Sequence, residues 1–200
     1  MMKLFDTAVD NILPNDGVVR YFGAVLDKPK ADNYLKQLIN TIDWQHDEVV
    51  VFGKKHVTKR MVAWYGDADF SYTYSGTTRQ ASPWIQELLE LKELVEKLTG
   101  TTYNSCLLNL YHHGEEGMGW HSDNEDTLEP RATIASLSLG AERKFAFKHR
   151  HTGETVSIML ENGSLLAMMN EVQEYWLHSL PKTKKVHEPR VNLTFRRFVV

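Results

Sequence analysis

His121, Ser122 and Asp123 place an imidazole and a carboxylate on alternate positions, so an extended backbone directs both to one side. Two such groups joined by a distant histidine make the facial set that holds non-haem Fe(II) and leaves positions open for a co-substrate and oxygen. Spacing alone does not single this pair out. The chain has nine histidines, so about half a His-x-Asp is expected by chance, and His46-x-Glu48 and His113-x-Glu115 compete with it. Context favours His121. The glycine-rich turn Gly114–Gly119 leads into it from a strand carrying Asn109 and Tyr111, and a rigid strand followed by a turn is how a fold aims ligands into a cavity. Downstream, the third ligand could come from His149, His151, His178 or His187. His178 is the best choice, because it ends the aromatic stretch Tyr175-Trp176-Leu177 and precedes Leu180-Pro181, the texture of a strand that reaches a barrel rim.

A second constellation lies in the last strand, RVNLTFRRF. Alternation puts Arg190, Asn192, Thr194 and Arg196 on one face and Val191, Leu193 and Phe195 on the other. Facing water, the polar set is ordinary. Facing a barrel interior it is an anion-binding wall, since guanidinium forks match carboxylate geometry. In NSCLLNLY, Asn109 and Tyr111 share a face with Leu107, while Cys106, Leu108 and Leu110 share the other.

Positioning these groups requires a scaffold, and its elements are readable. Apolar residues from Ala31 to Ile42 recur with helical period. Ser82-Pro83 reads as the cap and first position of a second helix that runs through Trp84–Leu98 and stops at Gly100. Between them, Val49–Phe52, a Gly53-Lys54 turn and His56–Trp64 predict a β-hairpin, and Tyr72–Tyr74 a short strand. After Gly100 the strand candidates are Asn104–Tyr111, Ala132–Leu139, Lys144–Lys148, Thr155–Leu160, Leu165–Met169, Val172–His178 and Arg190–Val199. Their close spacing without intervening helices suggests an antiparallel sandwich or barrel. The expected class is α+β, with helices first and a β-barrel afterwards. No repeat or linker interrupts the chain, so 1–200 reads as one domain, divided into a front region (1–100) and a barrel (101–200).

The composition fits: 200 residues, 42% hydrophobic and 24% charged, describe a soluble globular chain. One cysteine, Cys106, excludes an internal disulfide framework and clustered-cysteine metal sites. No apolar run is long enough to span a bilayer, and the acidic opening is not a signal peptide, so the expected compartment is the cytoplasm, without a membrane partner. The net charge of −3 argues against a nucleic-acid binder. Against that, basic residues are segregated into three runs: Lys54, Lys55, Lys59 and Arg60; Arg143, Lys144, Lys148 and Arg150; and Lys182, Lys184 and Lys185. The ordinary reading of such a run is a solvated face.

Taken in order, Asn109-x-Tyr111, His121-x-Asp123, His178 and Arg190 to Arg196 make the chain resemble the AlkB family of Fe(II)- and 2-oxoglutarate-dependent dioxygenases over roughly residues 45–200. VFGK at Val51–Lys54, YTYSG at Tyr72–Gly76, GSLLAMMN at Gly163–Asn170 and HSLP at His178–Pro181 are similar to the branch that acts on duplex DNA. The resemblance implies a double-stranded β-helix, or jelly roll, with N-terminal helices and a nucleotide-recognition hairpin.

It also implies roles. His121, Asp123 and His178 would bind Fe(II). Arg190, helped by Tyr111, would pair with the remote carboxylate of 2-oxoglutarate. Asn109 and Arg196 would lie toward its metal-chelating end, with Asn192 and Thr194 in the same pocket. Positions 190 and 196 are about 20 Å apart along a straight strand, too far for one carboxylate to engage both side chains. The implied reaction consumes O2 and 2-oxoglutarate, hydroxylates an N-methyl group on a base such as 1-methyladenine or 3-methylcytosine, and releases formaldehyde, succinate and CO2. Such a base must be flipped out of a duplex or met single-stranded. By the same resemblance Phe52, on a hairpin with Gly53 and Lys54, fills the vacancy, Tyr74 stacks on the base opposite His121, and Tyr72, Asn124 and Glu125 contact its polar edge or the backbone. Asn124 departs from the acid found there in that branch. The expected partner is alkylated DNA, duplex or single-stranded, acted on by a monomer. Methylated RNA is the alternative substrate, and a non-catalytic ligand- or nucleic-acid-binding barrel is the alternative class.

Overall fold

Strands from both halves of the chain build the main sheet. The structure is a computed structural model that describes residues 11–51, 54–67, 70–74 and 77–199; the side chains of 47–51, 54–56, 71–74 and 77–79 fall outside the description. In chain order the elements are β1 (Val18–Ala24), α1 (Lys28–Thr41), β2 (Gln45–Val51), β3 (Lys54–Gly66), β4 (Ser71–Tyr74), β5 (Thr77–Gln80), β6 (Ser82–Pro83), α2 (Gln86–Thr99), β7 (Ser105–Tyr111), β8 (Met118–His121), β9 (Ile134–Gly140), β10 (Arg143–His149), β11 (Thr155–Leu160), β12 (Ser164–Met169), α3 (Val172–Tyr175), β13 (Trp176–Leu180) and β14 (Arg190–Arg196). An eight-stranded sheet runs β1-β12-β9-β14-β7-β3-β2, with β6 joined to β3. A four-stranded sheet runs β11-β10-β13-β8, and β4 pairs with β5.

One face of the main sheet is covered by the two long helices. Ala31 and Leu38 of α1, and Leu88, Leu91 and Val95 of α2, pack with Cys106, Leu108, Leu110, Val191, Leu193 and Phe195. The expected apolar faces of β7 and β14 are therefore buried under helices. On the opposite face, Val19, Tyr111, Ile134, Leu166 and Met168 meet Phe145, Phe147, Trp176 and Leu180 of the small sheet. The polar face of β14 is thereby enclosed between two sheets. Among the described residues, no helix is long and apolar enough to cross a membrane.

Local chemistry explains the element ends. Asp27 caps α1 by accepting from the Lys30 N–H at 2.9 Å. As expected, α2 ends at Gly100, whose φ of 69° closes the helix with an N–H bond to the Glu96 carbonyl. Its start is a correction. Ser82-Pro83 is not the cap; those residues pair in parallel with Tyr65 and Gly66, and the helix begins at Gln86 behind Ile85. Proline tolerates that place because an edge position requires no donor from it.

Val172–His178 is not one strand either. Asn170, at φ 55°, turns the chain, and Val172–Tyr175 form a single helical turn before β13. Val172 and Trp176, both fully buried, have the i,i+4 spacing that the aromatic run disguised. Helices-first is corrected as well, since β1, β2 and β3 all belong to the main sheet. β1 has little alternation: only Val19 is buried within it, and the register shifts between Tyr21 and Gly23.

Candidate active site

β14 is the central wall of the site because it is paired on both sides. Toward β7, Arg190 faces Tyr111 and Asn192 faces Asn109. Toward β9, Asn192 faces Ser138 and Thr194 faces Ser136. The polar residues of three strands thus converge on one cavity. Asn109, Tyr111, Arg190, Asn192, Thr194 and Arg196 all line it, together with His121, Asp123 and His178. Ser136, Met118, Phe145 and Met168 also line it, and Ser138 supports it from behind by accepting from Arg190; the sequence singled out none of these. Only pairing with the recognised strands could have revealed the two serines.

The β8–β13 ladder brings His121 opposite His178, with ring centroids 4.2 Å apart. Asp123 follows two residues later, and one ligand atom from each of the three lies within 4.8 Å of the others. His121 Nδ1 sits 2.9 Å from the Gly119 carbonyl. A carbonyl only accepts, so Nδ1 carries the proton and Nε2, 3.9 Å from Asp123 Oδ1, keeps its lone pair for a metal.

Burial alone would raise the Asp123 carboxyl, but the charge of Arg196 and its hydrogen bond outweigh it and hold the group below its ordinary value. Arg196 Nη2 donates to Asp123 Oδ2 at 2.9 Å. Burial pushes His178 down to about 3, so the imidazole is neutral and ready to ligate. In metal-free protein this has a sign. Between the ordinary value of 6.5 and about 3, the unfolded chain takes up a proton that folded His178 refuses, so stability falls as pH drops below about 6.5. Chelator-treated protein should melt progressively lower from pH 7.5 to 5.5, and a His178→Asn variant should show a shallower slope; equal slopes would contradict the neutral buried imidazole.

At the other end, Arg190 is 2% exposed. It donates to Ser138 Oγ at 2.9 Å and Asn192 Oδ1 at 2.8 Å, and its guanidinium lies 5.7 Å from the Tyr111 ring centre. Burial lowers it to about 10, which leaves it charged at neutral pH. Among the described residues no carboxylate pairs with it, and its Nε and the nearby Asn109 Oδ1 are buried without partners. A buried cation with spare donors beside a cluster that could hold a metal fits a dicarboxylate that reaches from the guanidinium toward that cluster. Asn192 acts as the hinge of this wall: it also accepts from Ser136 Oγ at 2.9 Å and donates to Thr194 Oγ1 at 2.8 Å.

The remaining expected residues are placed differently. Asn124 and Glu125 follow the metal loop and line a neighbouring cleft, not the main cavity; Asp123 and Arg196 border both. Lys54 opens β3, and Tyr72 and Tyr74 lie on β4, with side chains outside the description. Phe52 and Gly53 lie outside the described residues altogether. Two members of the basic runs are not solvated. Arg60 is buried, with Nη1 3.0 Å from Met118 Sδ. Arg143, also buried, donates to the carbonyls of Gly114, Glu116 and Pro181, locking the turn before β8 to the loop after β13. Gly114 is required there, since a Cβ would sit 2.4 Å from the Thr183 carbonyl oxygen.

A His-Asp-His cluster with a buried arginine inside a double-stranded β-helix defines the class of iron oxygenases that consume a 2-oxoacid. The chain belongs to the 2OG-Fe(II) oxygenase superfamily, which it matches over residues 18–196, and within it to the AlkB family. It is 38% identical over 195 residues to DNA oxidative demethylase ALKBH2 of Mus musculus, covering 92% of this chain and 82% of that one. The Homo sapiens protein of the same name is 38% identical over 196 residues, covering 92% and 75%. Alpha-ketoglutarate-dependent dioxygenase alkB homolog 3 of Homo sapiens is 38% identical over 181 residues, covering 86% and 63%. The solved structure of OsALKBH1 shares the fold at a TM-score of 0.63 and 14% identity, covering 92% of this chain and 98% of that one. Membership brings Fe(II), 2-oxoglutarate and O2 as the reagents of the class.

Proposed function

We propose that this protein is a DNA oxidative demethylase that removes N-methyl groups from 1-methyladenine and 3-methylcytosine. The observation that carries the reading is the cavity itself, where a cluster of two imidazoles and a carboxylate lies beside a buried arginine that has no carboxylate partner among the described residues. The similarity to the ALKBH2 demethylases supports the choice of substrate. His121, Asp123 and His178 would hold the metal and Arg190 the 2-oxoglutarate, with Asn109 and Tyr111 beside it. Fe(II), when bound, supplies the redox chemistry that couples 2-oxoglutarate and O2 to hydroxylation of the methyl carbon, giving succinate and CO2. The protein's own contribution is orientation and dryness. Gly119 fixes the His121 tautomer, Arg196 keeps Asp123 anionic, and Phe145 and Met168 help exclude water from the cavity. The hydroxymethyl product is a hemiaminal, whose collapse frees formaldehyde and the restored base.

The test is formaldehyde release from matched single- and double-stranded oligonucleotides carrying one 3-methylcytosine or 1-methyladenine, with His121→Ala as control. Release should require Fe(II), 2-oxoglutarate and O2 and vanish in the variant. Succinate formed without formaldehyde would direct the search to methylated RNA or another substrate, and neither product from iron-loaded protein would defeat the reading.

Duplex work also needs a wedge for the flipped base. We assign this role to Phe52, the aromatic residue of the basic stretch VVVFGKKHVTKR, because apolar side chains commonly play it. Phe52→Ala should lower turnover on duplex by at least about tenfold while changing single-strand turnover less than about twofold, the difference being the cost of opening a stack, a few kcal/mol. Equal losses on both substrates would remove Phe52 from that role.

A further inference from the structure

Asp123 is supported differently from the other two candidate ligands. His121 and His178 sit on paired strands, whereas Asp123 lies in the loop beyond β8. Arg196 holds its carboxylate, but that bond orients the side chain and leaves the loop backbone to be fixed by something else. The fixing contact comes from Gln173, whose side-chain carbonyl accepts the Asp123 backbone N–H at 2.9 Å. A backbone N–H can only donate, so the Gln173 amide must present oxygen here. Its nitrogen then faces Met168 Sδ at 3.5 Å. Gln173 belongs to the helical turn α3, which runs directly into β13 and His178.

We propose that Gln173 is a positioning residue for the metal centre. It ties the Asp123 backbone to the segment that carries His178, and so sets the separation of these two ligands before a metal arrives. Arg150 already holds the Ser122 hydroxyl at 2.6 Å, but without Gln173 the Asp123 backbone itself must be ordered during metal binding, at the expense of affinity. Loss of an outer partner of a ligand weakens metal binding by about 10- to 100-fold. The inference rests on the reading of His121, Asp123 and His178 as the metal ligands.

The experiment uses full-length, chelator-stripped protein titrated calorimetrically with Mn(II), a redox-quiet stand-in for Fe(II), without 2-oxoglutarate. Wild-type should bind one Mn(II) and Asp123→Ala none. Gln173→Leu, close in size but without the acceptor, should bind Mn(II) about tenfold or more weakly while the metal-free melting temperature moves by no more than about 4 °C. Gln173→Glu, which keeps an oxygen at the same reach, should recover most of the affinity. Wild-type affinity in Gln173→Leu would overturn the positioning role and leave the metal site standing. Weak binding by both variants would overturn it too, because the acceptor would then not be what matters. Failure of the wild-type protein to bind Mn(II) would instead count against the metal reading itself. Gln173→Met, which keeps side-chain volume, is read the same way if Gln173→Leu does not fold.

Discussion

Asp123→Ala should leave the protein without measurable iron and lower demethylation by more than about a hundredfold. Removing outer partners of a metal ligand already costs about 10- to 100-fold, and Asp123 is the anionic member of the cluster. The same change takes the carboxylate away from Arg196, its ion-pair partner at 2.9 Å. Breaking a buried pair by deleting one member costs about 3–5 kcal/mol of stability, so Asp123→Ala should also melt well below wild-type. Asp123→Asn separates the two effects. The amide oxygen still accepts from Arg196 and keeps the volume, so most of the stability should remain while iron affinity is lost with the charge. Iron titration and thermal melting of both variants check this, and wild-type iron affinity in Asp123→Asn would remove Asp123 from the ligand set.

The second large effect belongs to Arg190. Arg190→Met should raise the KM for 2-oxoglutarate roughly 30- to 5,000-fold, the equivalent of about 2–5 kcal/mol for truncating one partner of a buried, hydrogen-bonded charge pair. Arg190→Lys should recover little. A single ammonium cannot hold Ser138 and Asn192 as Arg190 does and also present a fork to a carboxylate. Metal affinity should be unchanged within about threefold, because the two arginines of β14 serve opposite ends of the cavity, about 20 Å apart along the strand. KM measured at saturating Fe(II), beside a metal titration without co-substrate, separates the two, and an unchanged KM would show that the dicarboxylate binds elsewhere.

Alternation along β7 and β14 was legible, and it held: Val191, Leu193 and Phe195 are fully buried under the helices while Arg190, Asn192, Thr194 and Arg196 line the cavity. Period-two geometry makes such a face independent of distant contacts. The stop of α2 at Gly100 was legible for a similar reason, since the left-handed turn is a local event. Val172–His178 failed because four residues of helix show too little of a 3.6-residue period to stand out from an aromatic run. The basic runs misled at Arg60 and Arg143, because a charge plot records residue type but not what folding brings to a guanidinium, the Met118 sulfur at Arg60 and three loop carbonyls at Arg143.

The type, order and strand parity of the chemically competent side chains are thus properties of the chain alone, set by local backbone geometry. Their convergence is not. His121 meets His178 through a ladder between strands far apart in sequence, and Asp123 meets Arg196 and Gln173 only because the loop after β8 folds against β14 and α3. Whether the β14 arginines faced water or a closed cavity was settled by the small sheet packing over them. Burial then did what sequence cannot encode locally: it kept His178 neutral, and it left Arg190 charged with no carboxylate partner among the described residues, because desolvation depends on everything that surrounds a group.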